Sequence, residues 1–141
     1  MIDNKAIARR YIEEFWNQDR LELADELYTD DHTYHDPNLP DLPPGPEGVK
    51  ERGRTYKAAL PGRVTEIHQW VAEGDTVVCA WTYVGKNSGP LGDIEATNRE
   101  AVIPGVHRWR FRDGRISESW VMWDRLGLLE QLGLAGESST G

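Results

Sequence analysis

The stretch that most constrains the fold runs from Val102 to Asp124, VIPGVHRWRFRDGRISESWVMWD. Apolar and polar residues alternate through it, and Asp113-Gly114 interrupts the alternation. An Asp-Gly pair between alternating runs is the strongest short-range signal for a two-residue hairpin turn. Such a turn predicts Arg112 opposite Arg115, Phe111 opposite Ile116, Trp109 opposite Glu118 and His107 opposite Trp120. Side chains alternate across a strand. This register therefore gathers Ile103, His107, Trp109, Phe111, Ile116, Glu118, Trp120, Met122 and Asp124 on one face. Val106, Arg108, Arg110, Arg112, Arg115, Ser117, Ser119, Val121 and Trp123 fall on the other, which reads as mostly wet. The first face is aromatic yet carries a His, a Glu and an Asp. Ionisable groups on a face built for burial must be paired, neutralised or used. A slip of one residue exchanges the two faces.

Upstream, Asp3 or Asn4 can cap a helix to about Asn17, with Ile7, Tyr11, Ile12, Phe15 and Trp16 on one stripe. A short second helix follows, with Leu21, Leu23, Ala24 and Leu27 inward, closed by Tyr28 to Asp31. His32 to Pro37 reads as a short extended piece and Asn38 to Pro46 as a loop. Pro46 or Glu47 opens a third helix that Pro61-Gly62 ends. From Gly62 the period becomes two: Arg63–Ala72 and Asp75–Val84 are predicted strands around Glu73-Gly74. A polar, Gly-rich connection spans Lys86 to Asn98. A short helix or turn over Gly127 to Leu132 follows the hairpin. Three helices before a meander of strands predict an α+β fold, as one domain over residues 1–135 with a disordered tail at 136–141.

The chain has 141 residues, enough for a real core, and six Trp and five Tyr supply large apolar surfaces. A net charge of −8 argues against nucleic acid or an anionic membrane as partner. The single Cys79, in an apolar strand, excludes an internal disulfide and reads as a small buried hydrophobe. No signal peptide or membrane-length apolar run is visible, so the expected compartment is cytoplasmic.

The segments ARRYIEEFWNQD, YHDP, VAEGDTVVCAWTYVG and WRFRDGRISESWVMWDRLGLLEQLG resemble the nuclear-transport-factor-2-like superfamily, within it the SnoaL-like polyketide cyclases. The resemblance implies a cone: helices packed in the concave face of a strongly curved, mostly antiparallel sheet, around an internal pocket. It implies an acidic general acid/base near the end of the last strand, which maps onto Asp124, with His107 as the second catalytic group. It also implies a homodimer through the outer face of the sheet, which Val121 and Trp123 among the Arg and Ser residues support. One departure is visible. Many relatives carry Gly-Thr-His-x-Gly where this chain has Gly85-Lys86-Asn87-Ser88-Gly89, so Asn87 stands in place of the histidine.

Asp124 has a second reading, as N-cap of the terminal helix. His107 has one too, as a satisfied core histidine. Glu118 is expected to reach an Arg, an indole N–H or the backbone. Trp120, Trp109, Met122 and Trp16 are expected to shape the pocket, with Tyr34, His35 and Tyr56 as further substrate contacts. His32, His35 and Asp36 form H-x-x-H-D, but no second cluster accompanies it and no metal or cofactor is assigned. His68 is expected opposite Cys79. The expected function is a cofactor-independent enzyme that abstracts a proton α to a carbonyl in a small hydrophobic or polycyclic substrate, leading to aldol-type cyclisation or isomerisation. The alternatives are a non-catalytic binding or subunit module of the same fold, and a small epoxide or lactone hydrolase.

Overall fold

A computed structural model describes residues 3–134. The expected tail at 136–141 lies outside the described residues. Asp3 starts the first helix: its Oδ1 accepts the Ala6 amide at 3.1 Å. Helix α1 (Asn4–Arg10) runs on into a π-helical segment, Tyr11–Trp16, that buries Tyr11, Ile12, Phe15 and Trp16. A 3-10 turn, Leu21–Leu23, leads into α2 (Ala24–Leu27) and then into β1 (Tyr28–His35). The long α3 (Pro46–Ala59) takes Pro at its first position, where a missing N–H costs nothing. Strands β2 (Gly62–Glu73), β3 (Thr76–Lys86), β4 (Glu100–Arg112) and β5 (Arg115–Trp123) follow, and α4 (Arg125–Gln131) closes the described chain.

The five strands form one sheet in the order β1-β5-β4-β3-β2. It is curled around the N-terminal helices but not closed into a barrel. Among the described residues only β1 pairs in parallel, with β5. The sequence reading began its extended piece at His32, four residues late, because local pattern does not encode a parallel partner.

The hairpin turn is where it was expected. Asp113 and Gly114 both have positive φ (51° and 81°), and Arg112 faces Arg115 and Phe111 faces Ile116. The register then departs from expectation. Arg110 faces Glu118, so Ser117 is an extra residue, and its hydroxyl donates to the Arg110 carbonyl at 3.2 Å. This β-bulge exchanges the faces of β5 beyond it. Ser119 and Val121 are buried, Trp123 is half-buried, and Glu118, Trp120, Met122 and Asp124 stand on the outer face. Energetics explain the choice. Without the bulge, Glu118 would be an acid in an aromatic core, at several kcal/mol for one buried ion. With it, Val121 and part of Trp123 are buried in place of Trp120 and Met122, so relief of the acid, not a gain in apolar burial, decides the register.

Strand β4 keeps its expected alternation, with Ile103, His107, Trp109 and Phe111 inward, beside Val77, Cys79, Trp81 and Tyr83 of β3. Burial raises the Cys79 thiol pKa to about 12, as fits a small core hydrophobe. The β2–β3 turn lies one residue later than predicted, at Gly74-Asp75. Register shifts around Thr65 and His68 place Trp70, not His68, opposite Cys79. His68 is exposed, 2.6 Å from the Thr82 hydroxyl. No helix among the described residues is long and apolar enough to cross a membrane.

Candidate functional site

Between the helices and the concave face lies an apolar cavity of about 50 Å³, or about 550 Å³ with its open mouth included. The π-helical segment contributes Tyr11, Ile12 and Trp16; α3 contributes Arg52 and Tyr56; the sheet contributes Trp81, Ile103, His107 and Trp123. π-Helical turns widen a helix locally and recur at functional sites.

Alternation along β1 aims His32, Tyr34 and Asp36 inward, just past the strand end in the case of Asp36. The Asp36 side chain is 0% exposed and that of Arg52 5%, and Arg52 Nε donates to Asp36 Oδ2 at 2.8 Å. The Tyr56 hydroxyl donates to the same oxygen at 2.8 Å, and the Asn38 amide to Oδ1 at 2.9 Å. Trp123 Nε1 donates to the Tyr56 oxygen at 3.1 Å. On its other side, Arg52 Nη1 donates to the Tyr11 oxygen at 3.3 Å. Tyr11 and Tyr34 share a hydrogen bond of 3.1 Å, and Tyr34 meets His107 Nε2 at 2.7 Å. Trp81 Nε1 ends the chain by donating to His107 Nδ1 at 3.1 Å. Eight side chains thus form one continuous polar network in a largely apolar interior, the condition under which buried polar groups are tolerated.

The electrostatics follow from burial. Desolvation, then the Arg52 charge, hold His107 well below the usual imidazole range, so it is neutral. Desolvation also raises Tyr11, Tyr34 and Tyr56, which keep their protons. For Arg52, desolvation opposes the charge, but the surrounding Tyr34 and Tyr11 oxygens and Asp36 outweigh it. The guanidinium also lies 4.7–4.8 Å from the Tyr56 and Tyr34 ring centres, where ring faces favour a cation.

Of the residues expected at the site, His107, Trp16 and Tyr56 line the cavity. Tyr34 sits one layer behind, bonded to His107 and Tyr11. Trp109 is fully buried beneath His107, stacked at 4.9 Å, and reaches the cavity only through it. The bulge moves the other candidates away. Asp124 is exposed, and its Oδ1 accepts the Gly127 amide at 2.8 Å as the N-cap of α4. It lines an outer hollow with His68, Val106 and Met122. Met122 is 65% exposed. Trp120 lies under Arg108, at 3.9 Å, and stacks on His35. His35 points outward to Glu118 at 2.7 Å, and Glu118 also takes Arg110 at 3.1 Å. Glu118 thus finds the arginine expected of it, on the opposite face.

His32 and His35 point to opposite sides, and no group of metal-binding side chains exists among the described residues. His32 is buried with its Nε2 2.8 Å from the Ser119 hydroxyl. Asn87 is a latch: its amide bonds the Ala59 and Gly89 carbonyls and takes both the amide and the hydroxyl of Thr97.

Sequence reasoning did not assign Arg52, Tyr11 or Trp81 to the site, placed Trp123 outside, and read Asp36 only within the H-x-x-H-D motif. A signal was present for Arg52. It shares a stripe of α3 with Val49 and Tyr56, so a charge interrupts an apolar face. A buried arginine demands an acid, and Asp36 is that acid.

A sequence profile for SnoaL-like polyketide cyclases matches residues 6–132. Comparison with curated proteins finds no match. Among solved structures, TsrD from Streptomyces laurentii superposes with a TM-score of 0.81 at 25% identity, over 95% of this chain and 99% of its own. IdmH from Streptomyces antibioticus, provisionally described as a polyketide cyclase, gives 0.79 at 27% identity over 93% and 99%. A provisional polyketide cyclase from Acidithiobacillus ferrooxidans gives 0.79 at 27% identity over 94% and 96%.

Proposed function

Because the chain belongs to the SnoaL-like polyketide cyclase family, we propose that it is an acid/base enzyme acting on a carbonyl compound, by aldol-type ring closure or by isomerisation. One observation carries this reading. Two phenols of the cavity wall are tied to opposite poles of the same ion pair, Tyr11 to the Arg52 cation and Tyr56 to the Asp36 anion. The first pole suits an oxygen that gains charge, and the second a proton that must leave carbon.

The step runs as follows. Tyr56 Oη takes the proton α to the carbonyl as its own proton passes to Asp36 Oδ2. The C–H electron pair moves onto the carbonyl oxygen, which becomes an enolate held by the Tyr11 hydroxyl with Arg52 behind it. The enolate carbon then attacks a second carbonyl, or is reprotonated elsewhere. The proton returns from Asp36 through Tyr56. His107 acts on the substrate oxygen through Tyr34 and Tyr11.

The test is deuterium incorporation at the α-carbon of β-keto esters, with ethyl acetoacetate as the first probe. Wild-type protein is expected to catalyse the exchange, and Tyr11→Phe to lower kcat by about 10²–10³-fold, the usual effect of removing one oxyanion donor. No catalysed exchange across linear and cyclic β-keto esters overturns the reading. The hydrolase alternative needs an acid beside an arginine, and Asp36–Arg52 supports it. Incorporation of ¹⁸O from labelled water into an opened epoxide or lactone would select it.

The proposal extends to assembly. Val102, Val106 and Met122 are exposed on the outer sheet face. Val106 and Met122 are cross-strand partners there, and exposed apolar side chains support the pairing of two copies, although by different residues from those expected, since Val121 and Trp123 face inward.

A further inference from the structure

Trp81 is paired directly with Gly105 across β3 and β4, and Cys79 with His107. The indole is therefore a diagonal neighbour of the imidazole, a distance that only a large side chain spans. It spans it because residue 105 has no side chain. A Cβ on Gly105 would lie 2.2 Å from Trp81 Cη2, 2.5 Å from Cζ2 and 2.7 Å from Cζ3. The ring lies flat over this gap, and its N–H reaches His107 Nδ1 at 3.1 Å.

The direction of that bond fixes every later one. An indole N–H can only donate, so Nδ1 must be the unprotonated nitrogen. A neutral imidazole then carries its proton on Nε2, which donates to Tyr34. Tyr34 in turn gives its hydroxyl proton to Tyr11. The Tyr11 oxygen thus accepts from Tyr34 and from Arg52 Nη1, and both of its lone pairs are engaged. Its own proton has no partner in the wall and is left for whatever fills the cavity. In the other tautomer, Tyr34 would donate to His107 and Tyr11 to Tyr34. The cavity would then lose its phenolic donor without any heavy atom moving.

We infer that Trp81, seated on Gly105, is a positioning residue that holds His107 as the Nε2–H tautomer and so turns the Tyr11 hydroxyl proton towards the substrate. Its catalytic arm rests on the function proposed above; its tautomeric arm does not.

The experiment is ¹⁵N–¹H spectroscopy of protein labelled in histidine, without ligand. The wild-type protein is expected to show His107 Nδ1 unprotonated and Nε2 protonated. Trp81→Phe, which keeps an aromatic ring there and removes the N–H, is expected to give a mixture of tautomers. Gly105→Ala, which displaces the indole, is expected to do the same. With ethyl acetoacetate as the exchange probe, Trp81→Phe should lower kcat by about 10–100-fold with KM changed by less than about threefold. A wild-type spectrum with the proton on Nδ1 overturns the inference, even if neither variant folds. So does a Trp81→Phe protein that keeps the pure Nε2–H tautomer, or one whose tautomer mixes while kcat is unchanged. A locked tautomer in a protein that exchanges no probe upholds the positioning and overturns the proposed reaction instead.

Discussion

At the residue scale, the site depends on buried groups whose protonation the fold dictates. His32 and His107 are the two buried histidines, and burial lowers the pKa of His32 from 6.5 to about 3. Each is neutral in the fold, whereas an unfolded histidine takes up a proton below about pH 6.5. The unfolded state therefore binds more protons as pH falls, and stability decreases with acid. The contribution is complete above pH 6.5 and is lost on the way down to about 3 for His32. The expected slope is roughly 1.4 kcal/mol per pH unit for each histidine. Urea denaturation between pH 4 and 7 checks this: His32→Asn should remove one proton from the pH dependence, and an unchanged slope would contradict the assignment. Asp36 and Arg52 illustrate what a sequence withholds at this scale. The charge on the apolar stripe of α3 marks Arg52 as needing an acid, but which acid answers it is decided only where the fold sets Asp36 2.8 Å away.

At the element scale, one extra residue decides which acid can reach the cavity. The Asp113-Gly114 turn, both strands of the hairpin and the alternation of β4 were legible, because turn chemistry and period-two burial are local. The bulge at Ser117 was not, since nothing in Arg-Ile-Ser-Glu-Ser-Trp marks it directly. Its trace was indirect: the regular register placed Glu118 and Asp124 inside and Val121 and Trp123 outside. Such an inversion is better relieved by a bulge than by a buried charge. His107 survived as a cavity residue because it lies on β4, which has no bulge. Asp124, Trp120 and Met122 did not, because all three lie beyond Ser117. Deleting Ser117 should restore the regular register and drive Glu118 and Trp120 towards the core. The expected result is a loss of several kcal/mol or failure to fold. A deletion variant with wild-type Tm would show that the strand does not need the bulge.

At the scale of the whole molecule, the order of elements and the family were accessible because they depend on patterns spread over the chain. The matched residues 6–132 include nearly every element described. The parallel placement of β1 was not accessible, and with it went the inward aim of Asp36, which only the tertiary pairing of β1 with β5 supplies. The outer face gives a test of assembly. Met122→Lys should convert a dimer seen by sedimentation at micromolar concentration into a monomer, and a wild-type protein that already sediments as a monomer would contradict the pairing. We place the chemistry in the inner cavity and its Asp36–Arg52 pair, and Asp124 serves as a helix cap. The most direct measurement compares kcat for α-deuterium exchange in Asp124→Asn and Tyr56→Phe. Asparagine caps a helix about as well as aspartate, so Asp124→Asn should keep wild-type turnover. Tyr56→Phe should lose at least about 10²-fold. Loss in Asp124→Asn with full turnover in Tyr56→Phe would contradict the account.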